Sequence, residues 1–389
     1  MAPVPPQSAT WPRPSGLDPE EFLARYWQKQ PLLLREAFPG FQSPLSAEEL
    51  AGLACEENVE SRLVSGPPEG PWKLEQGPLR ESRFSELPER DWSLLVQDVD
   101  KHLPALATIL EAFDFLPRWR LDDLMISYAP PGGSVGPHTD AYDVFLLQAS
   151  GTRHWAIDPR PADTRHREDS ELRVLQHFEP QQEWQLGPGD MLYLPPGVAH
   201  HGIAGEDCMT WSIGFRAPDT AGMISDLAEY VIQNQHAETR YADPDLSPAE
   251  AGAGIHDRAV GRLRRLLSDL IEMDDAELGD WFGRFITEPK PWLQAAPEPS
   301  EEAPDPTPPL VLRSDVLVAW RDCPDGIRLF VDGEAETWST TAAPVARCLA
   351  DHRRIEPQEA DLVSADEARK LIQNWLRRGL LEPGENKKP

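Results

Sequence analysis

Short apolar segments, each bounded by Gly or Pro, follow one another between residues 119 and 216 of the chain. Segments of this length that are rich in branched and aromatic residues are typical of β-strands, and the Gly and Pro residues mark the turns. The pattern predicts strands at residues 124–128, 144–148, 153–157, 191–194 and 209–215. Such a succession favours an antiparallel barrel or jelly roll, an architecture that includes the cupins.

The segment before this core begins with a helix signal. Asp18 is a good N-cap residue, Pro19 suits the first helical position, and two glutamates follow in the first turn. Pro31 cannot continue a helix, so we expect the chain to leave it there and to form a short apolar strand at residues 32–34.

Beyond residue 219 the apolar positions change to helical spacing. The positions that show it are Met223, Ile224, Leu227, Tyr230, Val231, Leu263, Leu266, Leu267, Leu270 and Ile271. The pattern predicts a helical region at residues 219–288. Its apolar stripes either pack into a core or form a dimer interface.

Strand and helix signals are mixed in the C-terminal part. The Asp332-Gly333 pair inside residues 328–334 predicts a β-hairpin turn. Ser364 and Glu367 have the spacing of a capping box, which predicts a helix at residues 368–378 that ends at Gly379. A hairpin combined with helices favours a small α+β domain of the winged-helix type.

These patterns divide the chain into four segments. A β core with N-terminal additions is predicted at 1–218, the helical region at 219–288 and the winged-helix-like domain at 310–389. Residues 289–309 are dense in Pro, Glu and Ala, which is typical of an extended linker. A chain of 389 residues is long enough for two or three domains.

The composition indicates a cytoplasmic protein. No apolar stretch approaches the ~20 residues of a membrane span, and residues 1–15 are rich in Pro without the pattern of a signal peptide. The cysteines lie far apart and include no Cys-x-x-Cys pair, so we expect reduced thiols and neither a zinc site nor a disulfide framework. They are Cys55, Cys208, Cys323 and Cys348.

The net charge of -29 bears on the partners of the protein. A chain this acidic repels the phosphates of nucleic acids and attracts a basic protein over a long range. The same charge can equally serve solubility alone. We therefore expect no direct binding of DNA or RNA, and a basic protein partner is one of two explanations of the charge.

His138, Asp140 and His200 have the residue types of a metal site. Two imidazoles and one carboxylate can occupy one face of an octahedral metal, as in non-haem Fe(II) oxygenases. If His138 and Asp140 lie on a strand, they point to the same side. His200 follows a short apolar strand and a Pro-Pro-Gly turn. His201 is the rival ligand, with an outward-facing position as its alternative.

Arg153 alternates with Trp155 and Ile157 on one face of its predicted strand, which places a guanidinium among buried residues. A buried charge is costly without a partner. Either a carboxylate of a bound ligand or an internal Asp or Glu must therefore pair with Arg153.

Further segments carry a family resemblance. The segments are Trp-Gln-Lys-Gln-Pro at 27–31, Asp-Asp-Leu-Met-Ile-Ser at 122–127, the ten residues 136–145, and Ser-Ile-Gly-Phe-Arg-Ala-Pro at 212–218. Together with the His-Asp-His set they resemble the bacterial JmjC-domain ribosomal oxygenases. The resemblance runs across nearly the whole chain, and the C-terminal part matches in outline.

This resemblance implies a JmjC double-stranded β-helix, a helical dimerisation region and a C-terminal winged helix. It implies a homodimer that uses Fe(II), 2-oxoglutarate and O₂ to hydroxylate the β-carbon of an arginine in the sixteenth large-subunit ribosomal protein, with release of succinate and CO₂. His138, Asp140 and His200 would be the iron ligands. By the same resemblance Arg153 and Ser127 would bind 2-oxoglutarate. The substrate side chain would be held by Asp123, Met125, Tyr142 and Ser212.

Other functions remain open on the residues alone. A ribosomal histidine is an alternative target, a cupin metalloenzyme without 2-oxoglutarate is a second alternative, and a non-enzymatic binding module is a third. Lysine demethylation is less favoured. Simple core packing is the alternative for Met125 and Tyr142, although Asp123 and Tyr142 suit a guanidinium through pairing and stacking.

Overall fold

The structure is a computed structural model that describes residues 13–161, 165–234, 240–290, 293 and 306–384. Its strands in chain order are β1 Leu32–Leu34, β2 Ser61–Ser65, β3 Lys73–Gln76, β4 Trp92–Val96, β5 Leu121–Ala129, β6 Val144–Ser150, β7 Arg153–Asp158, β8 Gln182–Leu186, β9 Met191–Leu194, β10 Ala199–Ala204, β11 Cys208–Phe215, β12 Leu310–Leu312, β13 Val318–Cys323, β14 Gly326–Val331, β15 Glu334–Ser339, β16 Arg354–Ile355 and β17 Leu381–Pro383.

The α-helices are α1 Pro19–Arg25, α2 Ala47–Leu53, α3 Glu81–Ser85, α4 Val99–His102, α5 Pro104–Ala107, α6 Thr220–Asn234, α7 Asp257–Ile271, α8 Asp275–Ile286, α9 Ala343–His352 and α10 Asp366–Arg377. Short 3₁₀ helices occupy Thr108–Phe113, Arg118–Arg120, Pro248–Glu250 and Pro357–Val363.

Two antiparallel sheets form the core of the molecule. The larger has eight strands in the order β1-β9-β6-β11-β5-β4-β2-β3, and the smaller has three in the order β10-β7-β8. All five predicted core strands are present, and the predicted mainly β core is confirmed. Strands β2, β3, β4, β8 and β10 of these two sheets were not predicted; β3 and β8 are largely exposed and polar, so they lack the apolar pattern that marks a core strand.

Strand β5 shows how the large sheet divides its two faces. Leu124 and Ile126 are fully buried in the main apolar cluster on the outer face, together with helix residues such as Phe22. Asp123 and Ser127 alternate with them and line a cavity on the other face. The pairing of β5 with β11 sets Ser127 opposite Thr210 and Met125 opposite Ser212, so that polar groups from both strands reach the cavity together.

The N-terminal helix begins as predicted. The Asp18 carboxylate accepts a hydrogen bond from the Glu21 backbone at 2.8 Å, and Phe22 is buried against the core aromatics. The predicted strand at 32–34 adds β1 to one edge of the large sheet, next to β9.

Asp143 ties this N-terminal segment to the core from a fully buried position. Its carboxylate accepts hydrogen bonds from the Tyr193 hydroxyl at 2.6 Å and the Gln28 amide at 3.0 Å. Arg120 pairs with it at 3.1 Å. The buried charge is therefore compensated by a cation and neutral donors together, as a buried carboxylate requires.

Helices α6, α7 and α8 form the predicted helical region. Large apolar side chains on α6 and α7 remain exposed on the single chain, among them Ile232 at 65 % and Leu267 at 52 % of the side chain's full accessibility. Trp281 of α8 is buried and donates a hydrogen bond to Asp226 of α6 at 2.7 Å. Of the predicted apolar stripes, Val231 is buried, whereas Ile224 is 62 % and Leu267 is 52 % exposed in the single chain.

The C-terminal domain contains the predicted hairpin. Strands β14 and β15 are joined at Asp332 and Gly333, which both have the positive φ angles (48° and 81°) of a type I′ turn. The predicted capping box at Ser364 is wrong. Helix α10 begins at Asp366, two residues before the predicted start, and its N-cap is Ala365 rather than Ser364. The Ser364 hydroxyl instead donates to the Asp361 carbonyl in the preceding 3₁₀ turn. The helix does end before Gly379, as predicted.

Helix α8 packs against the C-terminal hairpin. Gly283 lies so close to Phe330 that a Cβ atom there would stand 2.4 Å from its ring. Asp280 of α8 also pairs with Arg328 of β14 at 2.6 Å. The predicted linker at 289–309 lies largely outside the described residues, as do both ends of the chain.

Among the described residues, no helix has the length and apolar character needed to cross a bilayer. All four cysteines are described and are free thiols, as predicted.

Candidate metal and cosubstrate site

A cavity of about 620 Å³ opens between the two sheets. Every site residue predicted from the sequence or implied by the resemblance lines it: Asp123, Met125, Ser127, His138, Asp140, Tyr142, Arg153, His200 and Ser212. His201 does not line it. The fold thus collects these residues from four separate strands and one loop around a single space.

His138, Asp140 and His200 come together as a possible metal site. Their ligand atoms all lie within 4.8 Å of one another. The Asp140 carboxylate is 3.9 Å from Nε2 of His138 and 3.5 Å from Nε2 of His200. Two imidazole nitrogens and a carboxylate on one side of a small space match the donor set of a facial triad.

The geometric reason for this arrangement differs from the one expected. His138 and Asp140 do not share a strand; His138 forms an isolated bridge with His200, and Asp140 lies in the loop that follows. Two backbone hydrogen bonds of 3.0 and 2.9 Å join His138 and His200. The backbone carbonyl of Asp140 accepts a hydrogen bond from Gly197 in the Pro-Pro-Gly turn, which fixes the loop next to the second histidine.

The hydrogen bonds of the rings define which imidazole nitrogens are free. Nδ1 of His138 lies 2.9 Å from the carbonyl of Gly136, and Nδ1 of His200 lies 3.0 Å from that of Val198. A carbonyl only accepts, so each Nδ1 carries the proton and each Nε2 keeps its lone pair for a metal. Burial, with a smaller effect of His138, lowers the pKa of His200 to about 4, which keeps its ring neutral at pH 7.

His201 points away from this site. It follows His200 on strand β10, so its side chain emerges on the opposite face. Its Nε2 lies 2.9 Å from the Ser134 hydroxyl, and its ring packs on Phe178. The structure therefore favours His200 over His201, in agreement with the choice made from the sequence.

Arg153 is buried as predicted, with 4 % of its surface exposed. One guanidinium nitrogen donates to the carbonyl of Gly202 at 3.2 Å, and the group lies 5.2 Å from the centre of the Trp155 ring. Among the residues that the structure describes, none is a hydrogen-bond partner of its Nε and Nη1 atoms. Within the described residues no Asp or Glu forms an ion pair with Arg153, which contradicts the internal-carboxylate alternative.

Gly202 makes room for this guanidinium. A Cβ atom at position 202 would stand 2.6 Å from Nε of Arg153 and 2.7 Å from the Trp155 ring. Burial lowers the pKa of Arg153, which shows how little solvent compensates the charge. A buried cation with two unsatisfied donors at a cavity wall fits the carboxylate of a bound ligand.

The other end of the cavity is acidic. Asp123 is buried, and its Oδ2 accepts a hydrogen bond from the backbone of Asp98 at 3.2 Å. Burial is the main cause that raises the pKa of Asp123 to about 7. Tyr142 remains 41 % exposed, so simple core packing does not explain it.

Sequence reasoning missed several residues at this acidic end, including Asp98 and Lys290. Asp98 lies just after the unpredicted strand β4, and Lys290 lies in the segment assigned to the linker. An acidic residue at the end of an apolar stretch was the available signal for Asp98. Nothing near Lys290 in the sequence indicated that it enters a cavity.

Two family models match the chain. The JmjC domain covers residues 108–223, and the ROXA-like winged helix covers residues 266–382. The predicted fold class, a JmjC core with a C-terminal winged helix, is thereby confirmed. The winged-helix match begins inside the helical region, which agrees with the packing of α8 on the C-terminal hairpin.

Two curated proteins are similar over most of the chain. The Ribosomal protein uL16 3-hydroxylase of Escherichia coli (strain K12) is 40% identical over 298 residues, which are 77% of this chain and 79% of that protein. The Probable ribosomal oxygenase of Haemophilus influenzae is 36% identical over 270 residues, or 68% of this chain and 66% of that protein.

Solved structures of YcfD, a ribosomal oxygenase from Escherichia coli, have the same fold. One matches with a TM-score of 0.80 and 34% identity and covers 95% of this chain and 98% of that chain. Another, in complex with cobalt and 2-oxoglutarate, matches with a TM-score of 0.80 and 34% identity over 95% of this chain and 99% of that chain.

The geometry predicts that a metal binds His138, Asp140 and His200 but not His201. We expect His138→Ala, Asp140→Ala and His200→Ala each to weaken Fe(II) or Co(II) binding about 100-fold or more. Loss of a residue that only hydrogen-bonds to a metal ligand already lowers metal affinity roughly 10- to 100-fold. The fold should persist, because the bridge between positions 138 and 200 uses backbone atoms. Calorimetric titration of the metal and circular dichroism measure the two effects. His201→Ala is the matched control, and normal binding by His200→Ala with loss in His201→Ala would refute the assignment.

Proposed function

The chain belongs to the family of JmjC-domain ribosomal oxygenases, and we propose that it hydroxylates the β-carbon of an arginine in the large-subunit ribosomal protein uL16. As a member of that family it is an oxygenase that depends on Fe(II) and 2-oxoglutarate. The observation that carries the assignment to this chain's own residues is the buried guanidinium of Arg153, which faces the same cavity as the His-Asp-His set and has two unsatisfied donors.

Within this proposal, His138, Asp140 and His200 hold the iron through two Nε2 atoms and a carboxylate oxygen. When bound there, the iron would activate O₂, which oxidises 2-oxoglutarate and converts a C–H bond to C–OH, with release of succinate and CO₂. One oxygen atom of O₂ enters the product and the other enters succinate.

The residues around the metal would position the cosubstrate. Arg153 binds the carboxylate of 2-oxoglutarate that is remote from the metal, and it gains the ionic partner that its buried position otherwise lacks. Ser127 lies opposite Thr210 on the neighbouring strand and supplies a hydroxyl near the same end. The apolar wall formed by Trp155 and Leu146 limits the access of water to that end of the cavity.

The acidic end of the cavity suits a cationic side chain. Asp123 can pair with a guanidinium, Tyr142 offers an aromatic face, and Met125 and Ser212 complete the walls between them. Holding the head group at Asp123 would present a nearer methylene to the metal, which is the positional requirement for oxidation of one carbon among several. The net charge of -29 favours a basic protein as the source of this side chain.

The Escherichia coli relative carries uL16 and the 3-position in its name, and the third carbon of an amino acid is the β-carbon. The name of this relative supports uL16 as the substrate of this chain. The acidic end of the cavity, with Asp123 and Tyr142, supports arginine as the side chain that is hydroxylated. We infer a cytoplasmic location for the same reason, because uL16 is a ribosomal protein. A cupin enzyme without 2-oxoglutarate and a non-enzymatic module are no longer favoured, since the family depends on 2-oxoglutarate.

Mass spectrometry of uL16 peptides tests the substrate. With Fe(II), 2-oxoglutarate and O₂, the full chain should add one oxygen to an arginine, and fragmentation should place it on the β-carbon. Replacing the target arginine by lysine should remove most of the activity, because lysine keeps the charge but loses the planar fork. Oxygen found on a histidine of another ribosomal protein, and never on arginine, would establish histidyl hydroxylation instead.

Arg153→Ala should raise the KM for 2-oxoglutarate by about two orders of magnitude or more, since truncating one partner of a buried charge pair typically costs about 2–5 kcal/mol. Metal affinity should change much less. Steady-state kinetics against 2-oxoglutarate, with metal titration alongside, separate the two effects. Arg160→Ala is the control, because Arg160 forms an exposed pair with Asp158 on the same strand. An unchanged KM in Arg153→Ala removes this role.

We also propose that residues 219–288 form a homodimer interface. Leu263 and Leu267 are 46 % and 52 % exposed on α7 and lie four residues apart, hence on the same side of the helix. Ile271 continues this line at 64 % exposure. Such a row of apolar side chains is unusual on a surface that meets only water.

Sedimentation velocity of the full chain at micromolar concentration tests this interface. The native chain should sediment as a dimer, and Leu263→Asp with Leu267→Asp should yield a folded monomer because buried charges oppose association. Leu23→Asp, on the exposed face of α1 at 39 %, is the control and should leave the dimer intact. A monomeric native chain contradicts the proposal.

A further inference from the structure

Lys290 reaches into the acidic end of the cavity from the end of the helical region. Its Nζ atom lies 2.8 Å from Oδ1 of Asp98 and 3.0 Å from Oδ1 of Asp122. Its side chain is 16 % exposed, so the ion pairs are largely shielded from solvent. Lys290, four positions beyond the end of α8, thus supplies a charge to the β core. It is 192 positions away from its partner Asp98 in the sequence.

Asp98, Asp122 and Asp123 line this end of the cavity, and cations compensate them unequally. Lys101, which is not part of the cavity wall, lies 3.6 Å from Asp98 and 2.7 Å from Asp100, and it donates to the backbone carbonyl of Asp122. Lys290 pairs with Asp98 and Asp122. Asp123 has no cation within ion-pair distance in the described part of the chain.

Only neutral donors reach Asp123. The backbone N–H of Asp98 donates to its Oδ2, and the amide of Gln97, oriented with its nitrogen towards Asp123, donates to the same oxygen at 3.1 Å. Arg62 is nearby but donates to the oxygen of that Gln97 amide. The second oxygen, Oδ1, lies next to Gly214, where a Cβ atom would stand 3.0 Å away. Asp123 therefore keeps one oxygen available at a part of the wall without side-chain bulk.

We propose that Lys290 is a positioning residue of the substrate cavity: by pairing with Asp98 and Asp122, it leaves Asp123 as the carboxylate that receives the cationic side chain of the substrate. The inference rests on the proposed function, because it takes a guanidinium as the group that Asp123 receives. Lys290 itself need not touch the substrate. It acts through the charges of its two neighbours.

The sign of the electrostatic effect follows from the groups that face Asp123. Burial raises the pKa of Asp123 to about 7; Lys290 is the leading opposing influence, whereas Asp122 and Asp98 raise the pKa further and Lys101 lowers it. Removing the Lys290 charge therefore raises the pKa of Asp123. The carboxyl group of Asp123 is then protonated at a higher pH. In the variant it loses its charge at pH values at which the native protein still keeps it.

The cavity wall also includes Glu60, Arg62 and Tyr142. Tyr142 stays neutral near pH 7, because burial followed by Asp140 and Asp123 raises its pKa. A change in binding between pH 6 and pH 9 in a Lys290 variant thus reports on the carboxylate cluster.

Calorimetric binding of an arginine-containing uL16 peptide tests the inference. The full chain is loaded with Mn(II) and 2-oxoglutarate under anaerobic conditions and titrated between pH 6 and pH 9. Native affinity should fall as the pH drops through about 7. Lys290→Met should show the same fall at a higher pH, with affinity near pH 7 lower by roughly tenfold for each unit of displacement, and should approach native affinity at pH 9.

Two variants separate charge from structure. Lys290→Arg retains the cation and should restore the native pH profile. Lys370→Met removes a lysine whose pair with Glu367 lies on the exposed side of α10, so it matches the change in net charge and should leave the profile native. A Lys290→Met protein with an unshifted profile overturns the inference, and tighter binding at every pH shows instead that Lys290 competes with the substrate.

A peptide-independent measurement distinguishes this inference from the proposed function. The carboxyl carbon of Asp123, assigned with Asp123→Asn, can be titrated by NMR in the native protein and in Lys290→Met. Its midpoint should move to higher pH in the variant. Peptide binding that is absent at every pH contradicts the arginine substrate, whereas an unmoved NMR midpoint contradicts the role of Lys290.

Discussion

The pair of backbone hydrogen bonds between His138 and His200 is the contact on which the site depends. It joins a loop to the small sheet at a single residue pair, and it places the two imidazole rings 4.2 Å apart with their Nε2 atoms towards Asp140. Neither ring needs help from a neighbouring side chain to find its orientation, because a backbone carbonyl fixes each Nδ1. The donor set is thus assembled by main-chain geometry.

Charge is separated along the cavity, although the whole chain is strongly acidic. The buried guanidinium of Arg153 lies at one end, the His-Asp-His set lies between, and Asp98, Asp122 and Asp123 with Lys290 form the other end. A dicarboxylic acid and a guanidinium are both polar, but this separation gives each an end where it is attracted and an end where it is repelled. The orientation of two different ligands in one cavity thereby follows from fixed charges.

The sequence located the residues that the cavity brings together better than it explained their placement. The His-Asp-His set was identifiable because its residue types are those of metal ligands. Arg153 was identifiable because a charged residue is unusual at an alternating apolar position of a strand. The strand geometry assumed for His138 and Asp140 was wrong, and the capping box at Ser364 was wrong because its hydroxyl is used in the preceding turn. Lys290 could not be predicted, since its ion pairs join residues far apart in the chain that only the tertiary fold brings together.

Helix α8 connects the β core with the hairpin of the C-terminal domain. Its end is held on one side by Arg216, which donates to the carbonyl of Ile286, and on the other by Thr287, whose hydroxyl accepts from Gly333 of the hairpin turn. Lys290 follows three residues later. The close contact of Gly283 with Phe330 therefore fixes the position of the Lys290 charge in the cavity. In evolution, the hairpin and the acidic end of the cavity cannot change independently.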